Sequence, residues 1–235
     1  IIMILEEPTF DNYDISSYRN LFYGSSPMAA EWVEKAIQRF TNAGVQQGYG
    51  LTETSPILTT FDADDHRHAM ETGNTDILRA AGRPLIGIDL KILNDNDTEL
   101  PTGETGEVCV RGPNVTPGYL NRPDENKKAF KNGWFHTGDV GKVDENGILF
   151  LMDRKKDMIV SGGENIYTSE VEAALYKHPD VFECAVIGVP NYKYGESLLA
   201  VIVPVAGKNL EKETIIEHCR ELIAGFKIPR EIDFV

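Results

Sequence analysis

Basic residues are scarce in this 235-residue chain. Lys and Arg together number 23, against 37 Asp and Glu, and the formal net charge is −14. Nucleic acid and anionic lipid carry the same sign of charge and are repelled by such a surface. We therefore expect no nucleic-acid partner. An anionic ligand has to be bound by local basic groups or by backbone N–H groups.

Cysteines and long apolar runs are also lacking. Cys109, Cys184 and Cys219 are far apart and form no Cys-x-x-Cys pair, so their spacing predicts neither a zinc knuckle nor a disulfide framework. Reduced thiols in a cytoplasmic protein fit this usage. No apolar run approaches the ~20 residues of a membrane span, so we expect no transmembrane segment, although peripheral membrane association stays compatible with the sequence.

The N-terminal segment IIMILEEPTF has no initiator Met, no basic region and no signal cleavage site. We interpret it as a strand and expect the chain to be a fragment of a longer protein. The following YRNLFYGSS predicts a strand that ends in a Gly-Ser turn. Apolar residues then recur at helical spacing from Trp32 to Phe40, with Ser26 suited to the N-cap and Pro27 to the first helical position.

Residues 82–152 alternate short apolar runs with turn residues, which predicts an antiparallel, barrel-like or strongly twisted sheet. Asn146-Gly147 between apolar runs is a strong hairpin signal. The acidic run DNDTE invites a calcium-loop interpretation. However, Leu100 stands where such a loop needs Gly, and Gly106 stands where it needs Glu, so we predict a plain hairpin turn.

Residues 157–235 return to an α/β pattern and suggest a small separate domain beginning near Asp157. SEVEAALYKH and KETIIEHCRELIAGF are predicted amphipathic helices. ECAVIGVP and LLAVIVPV are predicted buried strands, with Pro190 and Pro204 marking their ends.

Three segments carry candidate chemistry. In QGYGLTETSP, glycines flank Tyr49 and allow close backbone approach, while Thr52 and Glu53 offer a hydroxyl for phosphate and a carboxylate for a metal ion. A glycine-rich turn with a Thr-Glu helix cap is the structural alternative. In GWFHTGDVGKVDENG, Asp139 follows a glycine turn and suits a ribose diol, or else holds its own turn through an Asx bond.

Histidines give weaker signals. His136 is interpreted as structural, since no nucleophile lies near it in the sequence. His66 and His68, placed in an acidic loop, make a weak metal case without a third nearby ligand.

The third segment, DRKKDMIVSGGENIYTSEVEAAL, joins charges, a short strand and a double glycine. Arg154 is a permanent cation suited to phosphate or ribose oxygens, and Lys155 and Lys156 add positive charge. Gly162 and Gly163 allow close ligand approach. A solvated charged turn, followed by a tight turn before a helix that begins near Thr168 or Ser169, is the alternative.

Six segments in this order resemble the adenylate-forming superfamily, specifically the fatty-acyl-CoA synthetases. They are YGSSPM, GYGLTE, GETGEVCVRGPNVTPGYLNRP, GWFHTGDVGKVDENG, DRKKDMIVSGGENIYTSEVE and FKIPREIDFV. The resemblance implies a mixed α/β fold. Residues 1–155 would form the C-terminal part of a large nucleotide-binding domain, α/β to about residue 80 and β-rich with a barrel-like sheet from about 81. Residues 156–235 would form a small mobile C-terminal domain, truncated at its end.

The implied reaction is an acid–thiol ligation. A carboxylate, by resemblance a medium- or long-chain fatty acid, attacks the α-phosphate of ATP. Coenzyme A then displaces AMP from the acyl-adenylate. ATP, Mg²⁺ and coenzyme A are the implied cofactors and co-substrates, and the family pattern allows a homodimer of the intact protein. Gly48 would leave space near the acyl group.

The resemblance also implies a role for each candidate residue. The adenine pocket would be lined by Gly24, Ser25, Ser26 and Pro27, with Tyr49 packed on the ring, and Gly50 would belong to the same ATP/AMP site. Thr52 would contact the α-phosphate, Glu53 would hold Mg²⁺, and Asp139 and Arg154 would bind the ribose. Lys156 would be the hinge between half-reactions. Coenzyme A would meet Gly162, Gly163, Phe226, Lys227 and Arg230.

Two family parts lie outside this sequence: a Ser/Thr/Gly-rich phosphate loop with its Lys, and the adenylation lysine. We therefore expect the chain alone to be inactive or nearly so in adenylation, with weak AMP binding. Two alternatives stay open, namely a ligase that uses carrier-protein pantetheine and a non-catalytic interaction fragment. The GGENIY run and the lack of an insertion after Asp157 favour coenzyme A.

Overall fold

The computed structural model describes residues 1–26 and 28–235. The chain divides into two compact units, Ile1–Leu151 and Met152–Val235. Each unit has its own sheets and its own apolar core. The resemblance implies that a mobile C-terminal domain begins at residue 156, and this boundary remains a prediction.

The first unit contains a four-stranded sheet in the order β1-β2-β3-β4. Its strands are β1 (Asn20–Gly24), β2 (Gly44–Tyr49), β3 (Thr59–Phe61) and β4 (Arg83–Pro84). β1 and β2 are parallel, and the other neighbours are antiparallel. Parallel strands need a crossover, here supplied by the helix α2 (Ala30–Arg39). Val33, Ala36 and Phe40 recur at helical spacing and pack into the core of this sheet.

Two expectations for this region are wrong, and a third cannot be compared with the structure. The N-terminal segment is not a strand, because Ile2–Leu5 form a one-turn helix, α1. Ser26 is not the cap of α2, since the helix begins at Ala30 with Ala29 as its N-cap. Pro27 lies outside the described residues.

His66 and His68 lie in a helix, α3 (Ala63–Thr72), and not in a loop. The Asp62 carboxylate begins this helix by accepting hydrogen bonds from the backbone N–H groups of Asp64 and Asp65, both at 3.0 Å. An acidic run that looks like a loop is therefore an N-terminal cap.

The β-rich part of the first unit is a curled antiparallel sheet, as predicted, in the order β5-β6-β8-β7, with β9 paired to β8. The elements are β5 (Asp89–Leu93), β6 (Gly106–Arg111), α4 (Pro123–Ala129), β7 (Phe130–Lys131), β8 (Trp134–Val143) and β9 (Leu149–Arg154). The Asn146-Gly147 turn joins β8 to β9, which confirms the hairpin prediction. DNDTE is also a plain turn, in which the Asn94 side chain accepts from the N–H groups of Asn96 and Thr98.

The second unit is a sheet covered by two helices. Its elements are β10 (Ile159–Ser161), β11 (Glu164–Ile166), α5 (Thr168–Tyr176), β12 (Val181–Asn191), β13 (Gly195–Pro204), α6 (Lys212–Leu222) and β14 (Glu231–Phe234). The strand order is β11-β10-β13-β12, and β14 pairs parallel to β13. The two predicted helices and the start of α5 at Thr168 are confirmed, although α6 ends at Leu222 and not near Phe226.

The strand β12 is less buried than its sequence predicted. It lies at the sheet edge, and Phe182 and Ile187 are 63% and 48% exposed. Pro190 does not end the strand, which continues to Asn191. A continuous apolar run can therefore also belong to an edge strand with one face open.

Among the described residues, no helix has the length and apolar character needed to cross a membrane.

Candidate functional site

The ends of β1 and β2 approach so closely that only glycine fits. Gly24 and Gly48 are paired in register. A Cβ atom on Gly24 would lie 2.2 Å from the Gly48 carbonyl oxygen, and one on Gly50 would lie 1.9 Å from the Pro56 carbonyl oxygen. Ser25 follows with φ +69°, and its side chain and that of Ser26 are exposed. The chain thus presents a tight backbone edge at the carboxyl ends of two parallel strands, where ligands bind in open α/β sheets.

Gly48 has a different role from the one the sequence suggested. A Cβ atom at this position would lie 2.3 Å from Cζ of the Phe22 ring. The space that we assigned to an acyl group is therefore filled by Phe22, and that expectation is wrong. Gly48 is needed for packing between the two strands.

The next segment turns directly after Tyr49 into a short 3-10 helix, Thr52–Thr54. Thr54 is fully buried, and its hydroxyl bonds the backbone N–H and C=O of Leu51, both at 2.9 Å. Thr54 thereby holds the turn, which leaves the Thr52 side chain exposed and that of Glu53 half-buried.

A second segment, far along the chain, holds this turn in place. The Thr116 N–H donates to the Glu53 carbonyl at 2.7 Å, and the Asn114 amide donates to the Thr54 carbonyl at 2.6 Å. The Tyr119 hydroxyl donates to Oε1 of Glu53 at 2.7 Å. Burial, together with this hydrogen bond to Glu53, raises the pKa of Tyr119 to about 12. The phenol therefore stays protonated and orients the carboxylate.

Sequence reasoning gave no role to Asn114, Thr116 or Tyr119. All three lie in the quoted run GETGEVCVRGPNVTPGYLNRP. Their contacts join residues about 60 positions apart, and no local pattern encodes such a pairing.

Asp139 is presented by an irregularity in β8. Glu107 of β6 pairs with Val140, and Cys109 pairs with His136, so residues 137–139 lie opposite a single residue of β6. Gly138 adopts φ +74°. The Thr137 hydroxyl donates to the Val108 carbonyl at 2.8 Å and accepts from the Asp139 N–H at 3.0 Å. Thr137 therefore ties the bulge to β6.

The Tyr49 hydroxyl donates to Oδ2 of Asp139 at 2.6 Å. Both side chains are buried, with 8% and 6% of their residue surface exposed. The structure thus brings together two segments that the sequence assigned separately to a nucleotide. A short hydrogen bond to a carboxylate in a buried setting is among the stronger polar contacts in proteins.

His136 is buried beside Cys109 and Glu107, in agreement with a structural role. Its Nδ1 lies 3.3 Å from Sγ of Cys109 and 3.2 Å from Oε2 of Glu107. His66, the other buried histidine of this unit, contacts the Tyr23 hydroxyl at 2.9 Å and the Asp62 carbonyl at 2.7 Å. Burial lowers the pKa of His66, which favours its neutral form.

The strand β9 continues past Leu151, the last residue of the first unit, and Arg154 ends it in the second unit and starts a turn. The Arg154 carbonyl accepts from the N–H groups of Asp157 at 3.0 Å and Met158 at 3.1 Å, and the Lys156 side chain within this turn is exposed. The Asp153 carboxylate accepts from the N–H and the hydroxyl of Thr168, at 2.6 and 2.8 Å. The first residue of the charged segment therefore anchors the start of α5.

Gly162 and Gly163 form the two-residue loop of the β10–β11 hairpin. Their φ angles are +63° and +88°. Positive φ at both central residues is the geometry of a type I′ turn, which glycine adopts without strain.

Lys227, Arg230 and Phe226, which the resemblance assigns to coenzyme A, have different surroundings. Lys227 is held by Glu170, with Nζ at 2.7 and 2.6 Å from its two carboxylate oxygens. The guanidinium of Arg230 lies 4.1 Å from the centre of the Tyr194 ring. Phe226 is 43% exposed.

Two protein-family models match this chain. The model of the AMP-binding enzyme family matches residues 1–120, and that of the AMP-binding enzyme C-terminal domain matches residues 170–235. The chain belongs to the AMP-binding enzymes.

Relatives within this family differ in the acid they act on. The chain is 38% identical to a feruloyl-CoA synthase of Amycolatopsis sp over 98% of its own length and 45% of that protein. It is 35% identical to a long-chain-fatty-acid–CoA ligase of Escherichia coli over 98% of its own length and 39% of that protein. The chain of this AMP-binding enzyme thus spans less than half the length of the curated relatives that it matches.

Solved structures of family members share the fold. The amide bond synthetase McbA from Marinactinospora thermotolerans superimposes with a TM-score of 0.89 at 35% identity, over 98% of this chain and 45% of that one. An O-succinylbenzoate coenzyme A synthetase from Bacillus subtilis, in complex with ATP and magnesium ion, superimposes with a TM-score of 0.84 at 35% identity. The match covers 100% of this chain and 46% of that one.

Proposed function

We propose that the protein carrying this chain is an AMP-forming acid–thiol ligase. The substrate carboxylate oxygen attacks the α-phosphorus of ATP, forming an acyl-adenylate and releasing pyrophosphate. The sulfur of coenzyme A then bonds to the acyl carbon, and AMP leaves as the thiol proton is lost. The observation that carries the proposal is the Tyr49–Asp139 hydrogen bond, which joins two nucleotide motifs 90 residues apart in one buried contact.

We assign the nucleoside to the first unit. Tyr49 packs on the adenine, whose pocket is completed by Gly50 and by Gly24, Ser25 and Ser26. Asp139 accepts from both ribose hydroxyls. Since Tyr49 already orients this carboxylate, little conformational freedom is lost on binding, which favours affinity.

The phosphates are assigned to the turn after Tyr49, where the exposed Thr52 hydroxyl contacts the α-phosphate. The Glu53 carboxylate fits a magnesium ion, since it is a hard oxygen ligand, half-buried and oriented by Tyr119. When bound, Mg²⁺ would neutralise charge on the phosphate oxygens.

The second unit is assigned to the ribose and to coenzyme A. Arg154 reaches the ribose, and Lys156 is the hinge about which this unit turns between half-reactions. Gly162 and Gly163 face the pantetheine arm. Phe226 and Arg230 meet the coenzyme A nucleotide, and Lys227 joins them once its ion pair with Glu170 opens.

We propose a medium- or long-chain fatty acid as the carboxylate. The order of the motifs and the likeness to the Escherichia coli long-chain ligase support this choice. The likeness to a feruloyl-CoA synthase makes an aromatic acid the competing substrate class.

The second candidate function is amide formation, in which an amine accepts the acyl group in place of the coenzyme A thiol. The likeness to an amide bond synthetase favours it specifically. Adenylation is shared by both reactions, so only the second step distinguishes them.

The test uses the full-length protein with ATP, Mg²⁺ and a panel of fatty and aromatic acids. We expect pyrophosphate release that depends on a fatty acid, followed by a thioester when coenzyme A is added. An amide formed from added amine, without thioester, would replace the thiol assignment. Absence of pyrophosphate with every acid would overturn the ligase proposal.

A further inference from the structure

Three different metal-ligand side chains meet behind the bulge that carries Asp139. The Glu107–Cys109–His136 cluster offers one carboxylate oxygen, one sulfur and one ring nitrogen, all within 4.8 Å of one another. His136 Nδ1 lies 3.3 Å from Cys109 Sγ and 3.2 Å from Glu107 Oε2. Cys109 is fully buried, and the side chains of His136 and Glu107 are only 6% and 11% exposed.

These spacings suit a tetrahedral ion. Zinc bonds of about 2.3 Å to sulfur and about 2.0–2.2 Å to nitrogen and oxygen place neighbouring ligand atoms roughly 3.3–3.6 Å apart. The two separations at Nδ1 are within about 0.3 Å of these values. The third, between the Cys109 sulfur and the Glu107 oxygen, is no longer than 4.8 Å and closes by rotation of these two side chains.

The strand geometry explains why the ligands converge. Glu107 and Cys109 are two residues apart in β6, which puts both side chains on one face of the sheet. His136 is paired directly with Cys109 on the neighbouring strand β8. The ligands therefore come from a rigid two-stranded scaffold and not from a mobile loop.

The other ring nitrogen of His136 supplies an independent observation. Nε2 is buried and, within residues 1–26 and 28–235, has no hydrogen-bond partner. Asp97 Oδ1 lies 3.7 Å from it. A cation on Nδ1 would leave the ring proton on Nε2, where it faces Asp97, as in carboxylate–histidine–metal arrangements.

We propose that Glu107 Oε2, Cys109 Sγ and His136 Nδ1 bind a borderline-soft divalent cation of the zinc class. The ligands are the ionised carboxylate, the thiolate and the neutral imidazole, and the thiol proton passes to solvent on binding. Water or a small anion takes the fourth position. Thiolate and imidazole donors select such an ion over Mg²⁺, so this site is distinct from the one proposed at Glu53.

The site is coupled to the bulge through Glu107. Its second oxygen, Oε1, accepts from the Gly138 N–H at 3.3 Å, one residue before Asp139. A cation that fixes the Glu107 carboxylate therefore stabilises the Gly138 turn, and we expect Zn²⁺ to raise the unfolding temperature of the chain.

The first experiment titrates the metal-free chain with Co²⁺, a spectroscopic substitute for Zn²⁺. We expect a thiolate-to-cobalt charge-transfer band that equimolar Zn²⁺ removes. The Cys184→Ser/Cys219→Ser double variant retains Cys109 as its one thiol and keeps the band. The band is lost in Cys109→Ser.

A second experiment uses a variant that retains the thiol, with a separate check that the variant is folded. Glu107→Gln retains Cys109 and His136, and we expect it to weaken Zn²⁺ binding at least tenfold by calorimetry, with unchanged circular dichroism. Absence of a cobalt band in the folded wild-type chain overturns the proposal. Loss of the band in the double variant, or Zn²⁺ affinity unchanged in Glu107→Gln, does the same.

Discussion

Single hydrogen bonds between distant residues determine the geometry of the candidate nucleotide site. The bond from Tyr49 to Asp139 fixes a buried carboxylate at the end of β2, and the bond from Tyr119 to Glu53 fixes a second carboxylate in the following turn. Each depends on one hydroxyl. Conservative substitutions can therefore separate the contribution of these bonds from that of the aromatic rings.

Asp139→Ala should weaken AMP binding strongly, because charge-assisted bonds to the ribose hydroxyls would be lost. Such bonds contribute about 1.5–3 kcal/mol each, so the loss of one corresponds to roughly 10- to 150-fold in affinity. Calorimetric titration of the chain with AMP measures the effect. Tyr49→Phe is the matched control, since it keeps the ring and should cost less. AMP affinity unchanged by Asp139→Ala would remove this residue from the site.

Tyr119→Phe should impair the use of magnesium without abolishing the reaction. The ring stays in place, while Glu53 loses the donor that orients its carboxylate. In the full-length protein we expect a several-fold higher Mg²⁺ requirement for pyrophosphate release. Tyr192→Phe, at a fully exposed position, is the control and should leave it unchanged. Equal Mg²⁺ dependence in both variants would contradict an orienting role.

At the scale of secondary structure, turns with a positive φ angle determine how several strands are joined and shaped. Gly138 shapes the bulge that presents Asp139, and Gly162 with Gly163 closes the β10–β11 hairpin. Glycine adopts these conformations without the steric cost that a Cβ atom adds. The conformational cost of such a turn can therefore be measured by substituting a glycine at which an added Cβ atom meets no neighbouring atom.

Gly163→Ala should destabilise the second unit by about 1–2 kcal/mol, the cost of a left-handed backbone with a Cβ atom. A Cβ atom there would meet no described atom within 4 Å, so the cost is conformational and not steric. Urea unfolding measures it. Gly163→Asn is the control, because Asn tolerates this conformation better and should recover part of the loss. If Gly163→Ala and Gly163→Asn lowered the free energy of unfolding equally, the presence of a side chain, and not the positive φ angle, would be the cause.

Local patterns predicted many elements correctly and misplaced a few. The Asn146-Gly147 hairpin, α5 and the curled antiparallel sheet follow from turn chemistry and periodicity. The short helix Ile2–Leu5, the late start of α2 and the helix α3 were missed. Such boundaries depend on capping bonds and burial, which override weak local propensity.

For the whole molecule, each compact unit has its own apolar core. The core of the second unit includes two buried thiols, Cys184 and Cys219. Burial raises the pKa of Cys184 from 9.0 to about 12 and that of Cys219 from 9.0 to about 11. The folded state therefore keeps these thiols protonated at a pH where the unfolded chain ionises them.

This thiol burial predicts that the second unit loses stability at alkaline pH. The stabilisation is fully present below the unfolded pKa of 9.0, falls as pH rises above that value, and is lost once pH has passed through the folded values. Urea unfolding at about pH 8 and about pH 10 measures the change, since linkage gives about 1.4 kcal/mol per pH unit for each fully coupled thiol. The Cys184→Ala/Cys219→Ala variant should show a smaller pH dependence. If the free energy of unfolding changed equally with pH in that variant, groups other than these two thiols would be responsible.

The sequence alone determined the class of fold, the order of the motifs and most turns, because these depend on residues within a few positions of each other. It could not determine which distant residues meet. Tyr119 meets Glu53 where a loop packs on the short 3-10 helix after β2. Tyr49 with Asp139, and the Glu107–Cys109–His136 cluster, depend on strand register, and a shift of one residue would turn each of these strand side chains to the opposite face. Only the tertiary structure fixed that register, through the packing of buried side chains and the bulge at Gly138. It also decided that Phe22, and not open space, lies beside Gly48.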